Sequence, residues 1–145
     1  MSVKLPSAYV MDCSVTLSWF FPEERSPATE ALLDAFPTSR VTVPELWLFE
    51  LGNGLLLANR RDASVTESFI TRFLDQILKK PITIDRTASD RAVSAIRHLA
   101  ARHQLSIYDA TYLDLAIRAG LPLATLDQKL IKATKAAGVD LVKLK

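Results

Sequence analysis

The stretch Tyr9-Val10-Met11-Asp12-Cys13-Ser14-Val15 places a short apolar run directly before an acid and the start of a helical segment. Short apolar runs bounded by polar or turn residues are typical of buried strands. Similar runs follow at residues 41–43, 82–84, 123–125 and 141–144, and longer segments with helical spacing separate them. This alternation predicts an α/β fold, a three-layer α/β/α sandwich with a mostly parallel central sheet.

Capping residues mark several helix boundaries. Ser26 stands before a proline, which is the usual order of an N-cap and the first helical residue. Residues 64–67 have the form of a capping box, and Ser106 is placed to start another helix that Gly120 would end. The sequence therefore predicts helices that begin at these positions.

Length and composition predict a single domain over residues 1–145. The chain has 145 residues, of which 49% are hydrophobic and 23% charged, as in ordinary globular domains. Its one cysteine excludes a disulfide framework and a cysteine-based zinc site. Residues 1–7 lack the apolar core of a signal peptide, and no apolar run reaches the ~18 residues of a membrane span, so we expect a cytoplasmic protein without a membrane segment. A net charge of +2 is too small to argue for nucleic-acid binding by itself.

Two acids stand at predicted strand ends. Asp12 directly follows the first strand, and Asp127 comes two residues after the run that ends at Thr125. Ligands of parallel sheets bind outside the carboxyl ends of the strands, so both carboxylates are expected at one edge of the sheet. Either acid could instead serve only as the N-cap of the helix that follows it.

Two further acids lie in helical segments. Glu50 falls in a run that is apolar around the whole helix, which predicts a buried carboxylate. Such a group needs a cation, a hydrogen-bond network or a metal, and a structural ion pair is one alternative. Asp109 is the third helical position after Ser106, where it could also be a capping-box acid. Asp114 lies about 140° further around the same helix and is a poorer candidate.

The four acids together predict a metal site if they converge. Their mutual repulsion would require a divalent cation, and oxygen ligands alone favour Mg²⁺ or Mn²⁺ over zinc. Carboxylate-held metal ions commonly serve to cleave phosphodiesters. The chain has no glycine-rich nucleotide-binding motif, and neither of its histidines is placed by sequence to act as a catalytic base.

Four segments, taken in chain order, resemble the signature of PIN domains. These are Val10-Met11-Asp12-Cys13-Ser14, Glu50 with Asn53, Ser106-Ile107-Tyr108-Asp109-Ala110-Thr111-Tyr112, and Thr125-Leu126-Asp127. More narrowly, the chain resembles the VapC toxins of bacterial and archaeal toxin–antitoxin pairs. The resemblance spans nearly the whole chain, and its most specific part is the Tyr108-Asp109-Ala110 segment followed by Thr125 and Asp127. Cys13 departs from the family, which more often has Ala or Thr there.

The resemblance implies a set of site residues and partners. By position, Asp12, Glu50, Asp109 and Asp127 match the acidic quartet that holds Mg²⁺ or Mn²⁺ and performs catalysis. The same comparison matches Ser14, Asn53 and Thr125 to polar positions that support the acids. It also implies an RNA substrate, a homodimer and a cognate antitoxin protein that neutralises the toxin.

We therefore expect a metal-dependent endoribonuclease that hydrolyses RNA phosphodiester bonds with metal-activated water, as the toxin of a toxin–antitoxin pair. Two alternatives remain at this point: a module that binds RNA or a partner without cutting, and a small-molecule metal phosphohydrolase. The segment from Val15 to Phe21, together with the segment around Trp47, is rich in aromatic residues. An exposed part of this aromatic surface could receive a helix of the antitoxin.

Overall fold

A four-stranded sheet lies at the centre of the computed structural model, which describes residues 5–144. Its strands are β1 (Ala8–Met11), β2 (Arg40–Pro44), β3 (Ile82–Asp85) and β4 (Leu123–Ala124). Their order is β3-β2-β1-β4, and every pairing is parallel. Parallel neighbours bring the carboxyl ends of all four strands to one edge of the sheet.

Helices fill the connections between the strands. They are α1 (Cys13–Phe20), α2 (Pro27–Ala35), α3 (Leu46–Arg61), α4 (Glu67–Leu78), α5 (Ala88–Arg91), α6 (Arg97–His103), α7 (Ile107–Ala119) and α8 (Gln128–Ala136). A π-helical turn, Ala92–Ile96, joins α5 to α6. Helix α1 packs against α2 and α3, whereas α7 packs on β1 and β2 beside α6 and α8. The predicted α/β/α sandwich with a parallel sheet is confirmed.

The core combines the strand side chains with two tryptophans. Trp19 and Trp47 are 1% and 0% exposed, and each indole N–H donates a hydrogen bond. The Trp19 bond goes to the Thr29 carbonyl at 2.8 Å and the Trp47 bond to Thr16 Oγ1 at 2.9 Å. Because each indole N–H has a hydrogen-bond acceptor, both rings can be buried completely. The two tryptophans therefore belong to the core and not to a docking surface.

Two of the predicted helix starts are confirmed, and one is displaced. Ser26 caps α2 in a capping box with Thr29, and Ser106 caps α7. The predicted capping box at residues 64–67 is wrong, because Thr66 caps α4 and accepts the Phe69 N–H at 3.2 Å. Asp62 Oδ1 accepts both the backbone N–H and the hydroxyl of Ser64, so Ser64 is committed to a turn before the helix.

The predicted strand at residues 141–144 is reduced to one bridge. Leu141 pairs in parallel with Leu123, and the Val142 N–H donates to the Leu123 carbonyl at 2.9 Å. Strand β4 is only two residues long, so it offers a short template for a neighbour. The apolar character that suggested a strand instead buries Val142 and Leu144 against the core.

None of the helices within residues 5–144 combines the length and the apolar character needed to cross a membrane. The prediction that no signal peptide is present concerns in part residues 1–4, which lie outside the described residues.

Candidate active site

Asp12 directly follows the carboxyl end of β1 and is 6% exposed. Its Oδ2 atom accepts two hydrogen bonds, from Ser14 Oγ at 2.7 Å and from Thr125 Oγ1 at 2.8 Å. The residue stands at the N-cap position of α1, yet its side chain makes no capping hydrogen bond. Its carboxylate is therefore directed at the two hydroxyls and is not used to end a helix.

The same two hydroxyls join the loop after β1 to the loop after β4. Ser14 Oγ accepts the Leu126 N–H at 3.0 Å, and Thr125 Oγ1 accepts the Asp127 N–H at 3.1 Å. A hydroxyl has a single proton to donate. Each hydroxyl accepts a hydrogen bond from a backbone N–H and donates its own O–H to Asp12. The hydroxyls are therefore the donors, and the Asp12 carboxylate is the acceptor, in both hydrogen bonds to Asp12. The arrangement holds the Asp12 carboxylate beside the start of α8.

Asp127 serves both as a cap and as a member of this edge. Its Oδ1 accepts a hydrogen bond from the Leu130 N–H at 3.0 Å. Asp127 therefore caps α8, which was the alternative role that the sequence allowed. Its Oδ2 receives no hydrogen bond from residues 5–144. Its negative charge raises the pKa of both Asp12 and Asp109. Capping and proximity to the other acids are thus compatible.

Asp109 lies in the first turn of α7 and is half-buried. Its backbone N–H donates to Ser106 Oγ at 3.1 Å, so the helix start fixes its position. Burial raises the pKa of Asp109, and the charge of Asp127 raises it further. The Ser106 hydrogen bond and the positive charge of Lys129 act in the opposite direction.

Glu50 projects from the start of α3, where the run of residues 46–51 is apolar around the whole helix and predicts a buried segment. That prediction is wrong: Phe49 is 75% exposed, because α3 buries only one face, formed by Trp47, Leu51, Leu55 and Ala58. Glu50 itself is half-buried. Its Oε1 accepts a 2.5 Å hydrogen bond from the Tyr112 hydroxyl. Within residues 5–144 the Glu50 carboxylate is therefore stabilised by a hydrogen bond from Tyr112 and not by a structural ion pair.

Mutual repulsion links the four acids. Burial raises the pKa of Asp12; the bonds from Ser14 and Thr125 oppose this rise, and the charges of Asp109 and Asp127 add to it. Burial likewise raises the pKa of Glu50; the Tyr112 bond opposes it, whereas the charges of Asp12 and Asp109 increase it. Within the described residues no arginine, lysine or histidine forms an ion pair with any of the four. The edge of the sheet therefore carries negative charge that the protein itself leaves largely uncompensated.

The donor set suits a hard divalent cation, although its spacing is open. Carboxylate oxygens are typical ligands of Mg²⁺ and Mn²⁺, and a cation would offset the repulsion that, together with burial, raises the pKa values of Asp12, Glu50 and Asp109. In the part of the chain that the structure describes, no three His, Cys, Asp or Glu side chains stand close enough to form a ready-made metal site. The fit thus rests on chemistry and charge.

Asn53, a predicted supporting residue, and Asp114, the poorer candidate, lie apart from this network. Asn53 is exposed on α3 and makes no side-chain hydrogen bond with residues 5–144. Asp114 is 4% exposed and accepts hydrogen bonds from Arg91 and Arg118, so its charge is compensated elsewhere.

Sequence reasoning did not assign a role to Tyr112. Its spacing of three from Asp109 places the two residues on neighbouring positions of one helical face, and that signal was available. Its contact with Glu50, 62 residues away, was not.

Solved structures show where this fold occurs. The PAE2754 protein from Pyrobaculum aerophilum is 23% identical, with 88% of this chain and 85% of that chain covered and a TM-score of 0.64. FitAcB from Neisseria gonorrhoeae is 18% identical, with 93% and 96% covered and a TM-score of 0.63. VapBC2 from Rickettsia felis, solved bound to a DNA fragment from its promoter, is 16% identical, with 92% and 96% covered and a TM-score of 0.63.

At these identities the structural matches show a shared fold. No curated protein sequence matches the chain. The family model described as "PIN domain" matches residues 9–136, which include all four acids and both supporting hydroxyls. The chain belongs to the PIN-domain family.

Proposed function

We propose that the protein is a metal-dependent endoribonuclease and the toxin of a toxin–antitoxin pair. The observation that carries the proposal is the edge where the carboxylates of Asp12, Glu50, Asp109 and Asp127 repel one another and form no ion pair within residues 5–144. Keeping such carboxylates together opposes folding unless a ligand compensates them. Membership of the PIN-domain family, together with the motif resemblance, supports nuclease chemistry at this site.

The four acids are the metal ligands and catalytic residues of the proposal. Asp12, Asp109 and Asp127 would hold Mg²⁺ or Mn²⁺, while Glu50 would bind it directly, through water, or orient the attacking water. When bound, the cation would offset the charge that develops on the scissile phosphate and lower the pKa of the attacking water. Ser14 and Thr125 hold Asp12 in place, and Asn53 remains a proposed supporting residue on the α3 surface.

The surface beside the acids favours a polyanionic substrate. Lys129 and Lys132 lie one turn apart on α8, and both are exposed. Lys129 is close enough to lower the pKa of Asp109. Lysines contribute affinity for nucleic acid through the phosphate backbone. A chain of phosphates passing along α8 could therefore reach the acidic edge, which supports RNA over a single small phosphate ester.

An apolar groove supports a protein partner. A cavity of about 450 Å³ is lined by Phe20, Phe21, Val65 and Phe69 together with the charged residues Glu23 and Arg61. Phe69 is 45% exposed, although Phe20 is buried. An antitoxin helix could therefore dock in this groove beside the aromatic segment, although the two buried tryptophans would not take part in the contact. A cognate antitoxin, a homodimer, a cytoplasmic location and a single domain over residues 1–145 complete the proposal.

Cleavage of a defined RNA tests the proposed activity. Purified protein is incubated with an end-labelled stem-loop RNA in Mn²⁺, in Mg²⁺ and in EDTA, beside p-nitrophenyl phosphate as a small substrate. We expect discrete RNA fragments only with a divalent cation and no release of p-nitrophenol. Release of p-nitrophenol without RNA cleavage would contradict the proposal and support a phosphohydrolase. RNA binding without cleavage under every metal condition would support a non-cleaving module.

A further inference from the structure

Tyr112 is a fully buried residue whose one polar atom is directed at the acidic site. The residue is 0% exposed in the middle of α7. Its hydroxyl donates a 2.5 Å hydrogen bond to Glu50 Oε1 and so joins α7 to α3. Burying a phenol is favourable when its hydroxyl finds an acceptor, and here the acceptor is one of the four repelling carboxylates.

The spacing along α7 connects Tyr112 with Asp109. Three residues at about 100° each place their side chains roughly 60° apart around the helix axis, on one face. The first two turns of α7 therefore supply both an acid of the site and the donor that contacts another acid. Any displacement of α7 would move Asp109 and the contact to Glu50 together.

The bond has a fixed direction. The Tyr112 hydroxyl carries the proton of this pair and is therefore the donor. A carboxylate accepts only, through two oxygens. With Oε1 held by Tyr112, the remaining oxygen of Glu50 is available to a cation or a water.

Without this bond, Glu50 would have reason to turn away. It is half-buried, so solvent is within reach, and the charges of Asp12 and Asp109 act unfavourably on it. A glutamate has several freely rotating side-chain bonds, and ordering them has an entropic cost. The Tyr112 hydroxyl supplies a charge-assisted hydrogen bond that opposes both effects.

We propose that Tyr112 is a positioning residue, which holds the Glu50 carboxylate toward the other three acids so that the four can act on one cation. The inference rests on the proposed function in assigning Glu50 to the metal site. The positioning role goes beyond the proposed function, because it concerns a residue outside the acidic quartet. Residues that hold metal ligands in place commonly change metal affinity or activity by about 10–100-fold when they are replaced.

The test compares two tyrosine-to-phenylalanine variants. Tyr112→Phe removes the hydroxyl that contacts Glu50. Tyr9→Phe makes the same chemical change at another fully buried tyrosine, whose hydroxyl has no hydrogen-bond partner within residues 5–144. Mn²⁺ binding is measured by electron paramagnetic resonance, and RNA cleavage is measured as kcat and KM. A crystal structure of each variant without metal gives the position of Glu50.

We expect Tyr112→Phe to weaken Mn²⁺ binding and lower kcat by about 10-fold each, with KM for RNA unchanged within about two-fold. In its crystal structure the Glu50 carboxylate should move toward solvent. Tyr9→Phe should match the wild type in all three measurements. An unmoved Glu50 carboxylate, or wild-type Mn²⁺ affinity in Tyr112→Phe, would overturn the proposal.

A double-mutant cycle separates positioning from a general loss of packing. If Tyr112 acts through Glu50, adding Tyr112→Phe to Glu50→Gln should lower kcat by less than two-fold beyond Glu50→Gln alone. A full, additive loss in the double variant would show that Tyr112 acts by another route. If the wild type binds Mn²⁺ with the expected Tyr112 dependence but cuts no RNA, the nuclease proposal fails and the positioning role stands.

Discussion

Asp114 is a buried carboxylate between two arginines, and its replacement gives a well-defined stability prediction. Arg91 donates to both of its oxygens, at 3.0 and 2.8 Å, and Arg118 Nε donates to Oδ2 at 2.9 Å. Arg118 also donates to Asp85 at the end of β3, at 3.0 Å. The network therefore fastens α7, the helix that carries Asp109 and Tyr112, to the carboxyl edge of the sheet.

The expected cost of Asp114→Asn follows from the exposure of the three partners. Removing one member of a fully buried ion pair costs about 3–5 kcal/mol. Here the Asp114 side chain is 6% exposed, but the Arg118 side chain is 25% and the Arg91 side chain 37% exposed. Because water can solvate the released guanidinium groups, and Arg91 adds little at that exposure, we expect about 2 kcal/mol. At roughly 4 °C per kcal/mol for a chain of this size, Tm should fall by about 8 °C.

The effect should depend on pH in a fixed direction. Burial by itself would raise the pKa of Asp114, but hydrogen bonds and charges of Arg91 and Arg118 hold it below its usual range. A lowered carboxylate pKa stabilises the folded state above the unfolded pKa of about 3.9, and this contribution is lost as pH falls through the folded pKa. The difference between wild type and Asp114→Asn should therefore be full near neutral pH and shrink below about pH 4.

Thermal and urea unfolding between pH 3 and 8 measure this difference. Glu30→Gln is the matched control, because Glu30 pairs with Arg25 at 3.4 Å while both side chains are nearly half exposed. It should change the free energy of unfolding by less than about 0.5 kcal/mol. A cost of Asp114→Asn no larger than that of Glu30→Gln at neutral pH, or a cost that grows toward acid pH, would contradict a stabilising role of the Asp114 ion pairs.

Two further predictions concern the acidic edge and α3. Because burial and the charges of Asp109 and Asp127 raise the pKa of Asp12, the metal-free protein should lose stability as pH rises through the pKa of Asp12 in the folded state. In thermal melts in EDTA at neutral pH, Asp12→Asn should therefore have a higher Tm than the wild type, and this gain should be absent below the unfolded pKa of about 3.9. Mn²⁺ should raise the Tm of the wild type only. Gly52→Ala should raise the free energy of unfolding by about 1 kcal/mol in urea titrations, since no atom beyond its chain neighbours and the nearby backbone of α3 lies within 4 Å of the added Cβ. Gly54→Ala should lose that gain or reverse it, because its Cβ would lie 2.7 Å from Leu17 Cδ1; equal stabilisation by both alanines would contradict the packing argument.

The strand and helix pattern was predictable because it is local. Apolar runs of three or four residues ending at an acid or a proline gave β1, β2 and β3, and the hydroxyl caps at Ser26 and Ser106 gave two helix starts. Local rules failed where a competing local partner was present. Ser64 donates hydrogen bonds to Asp62, so Thr66 and not Ser64 is the N-cap of α4.

The contacts of the site were less predictable because they are tertiary. Strand order places the loops after β1 and β4 side by side, and the rule for strand ends indicated Asp12 and Asp127. The hydrogen bond from Thr125 to Asp12 joins residues 113 apart, and the bond from Tyr112 to Glu50 joins residues 62 apart. Neither spacing follows any helical or strand period, so only the folded chain shows these pairs.

Single-turnover cleavage of an end-labelled stem-loop RNA in Mn²⁺ by Asp109→Asn and Asp90→Asn tests directly whether the acidic edge is the nuclease site. Asp109 belongs to the repelling set, whereas Asp90 is an exposed acid on α5. We expect a loss of at least about 100-fold in the cleavage rate for Asp109→Asn and a wild-type rate for Asp90→Asn. Equal cleavage by Asp109→Asn and wild type would contradict this expectation.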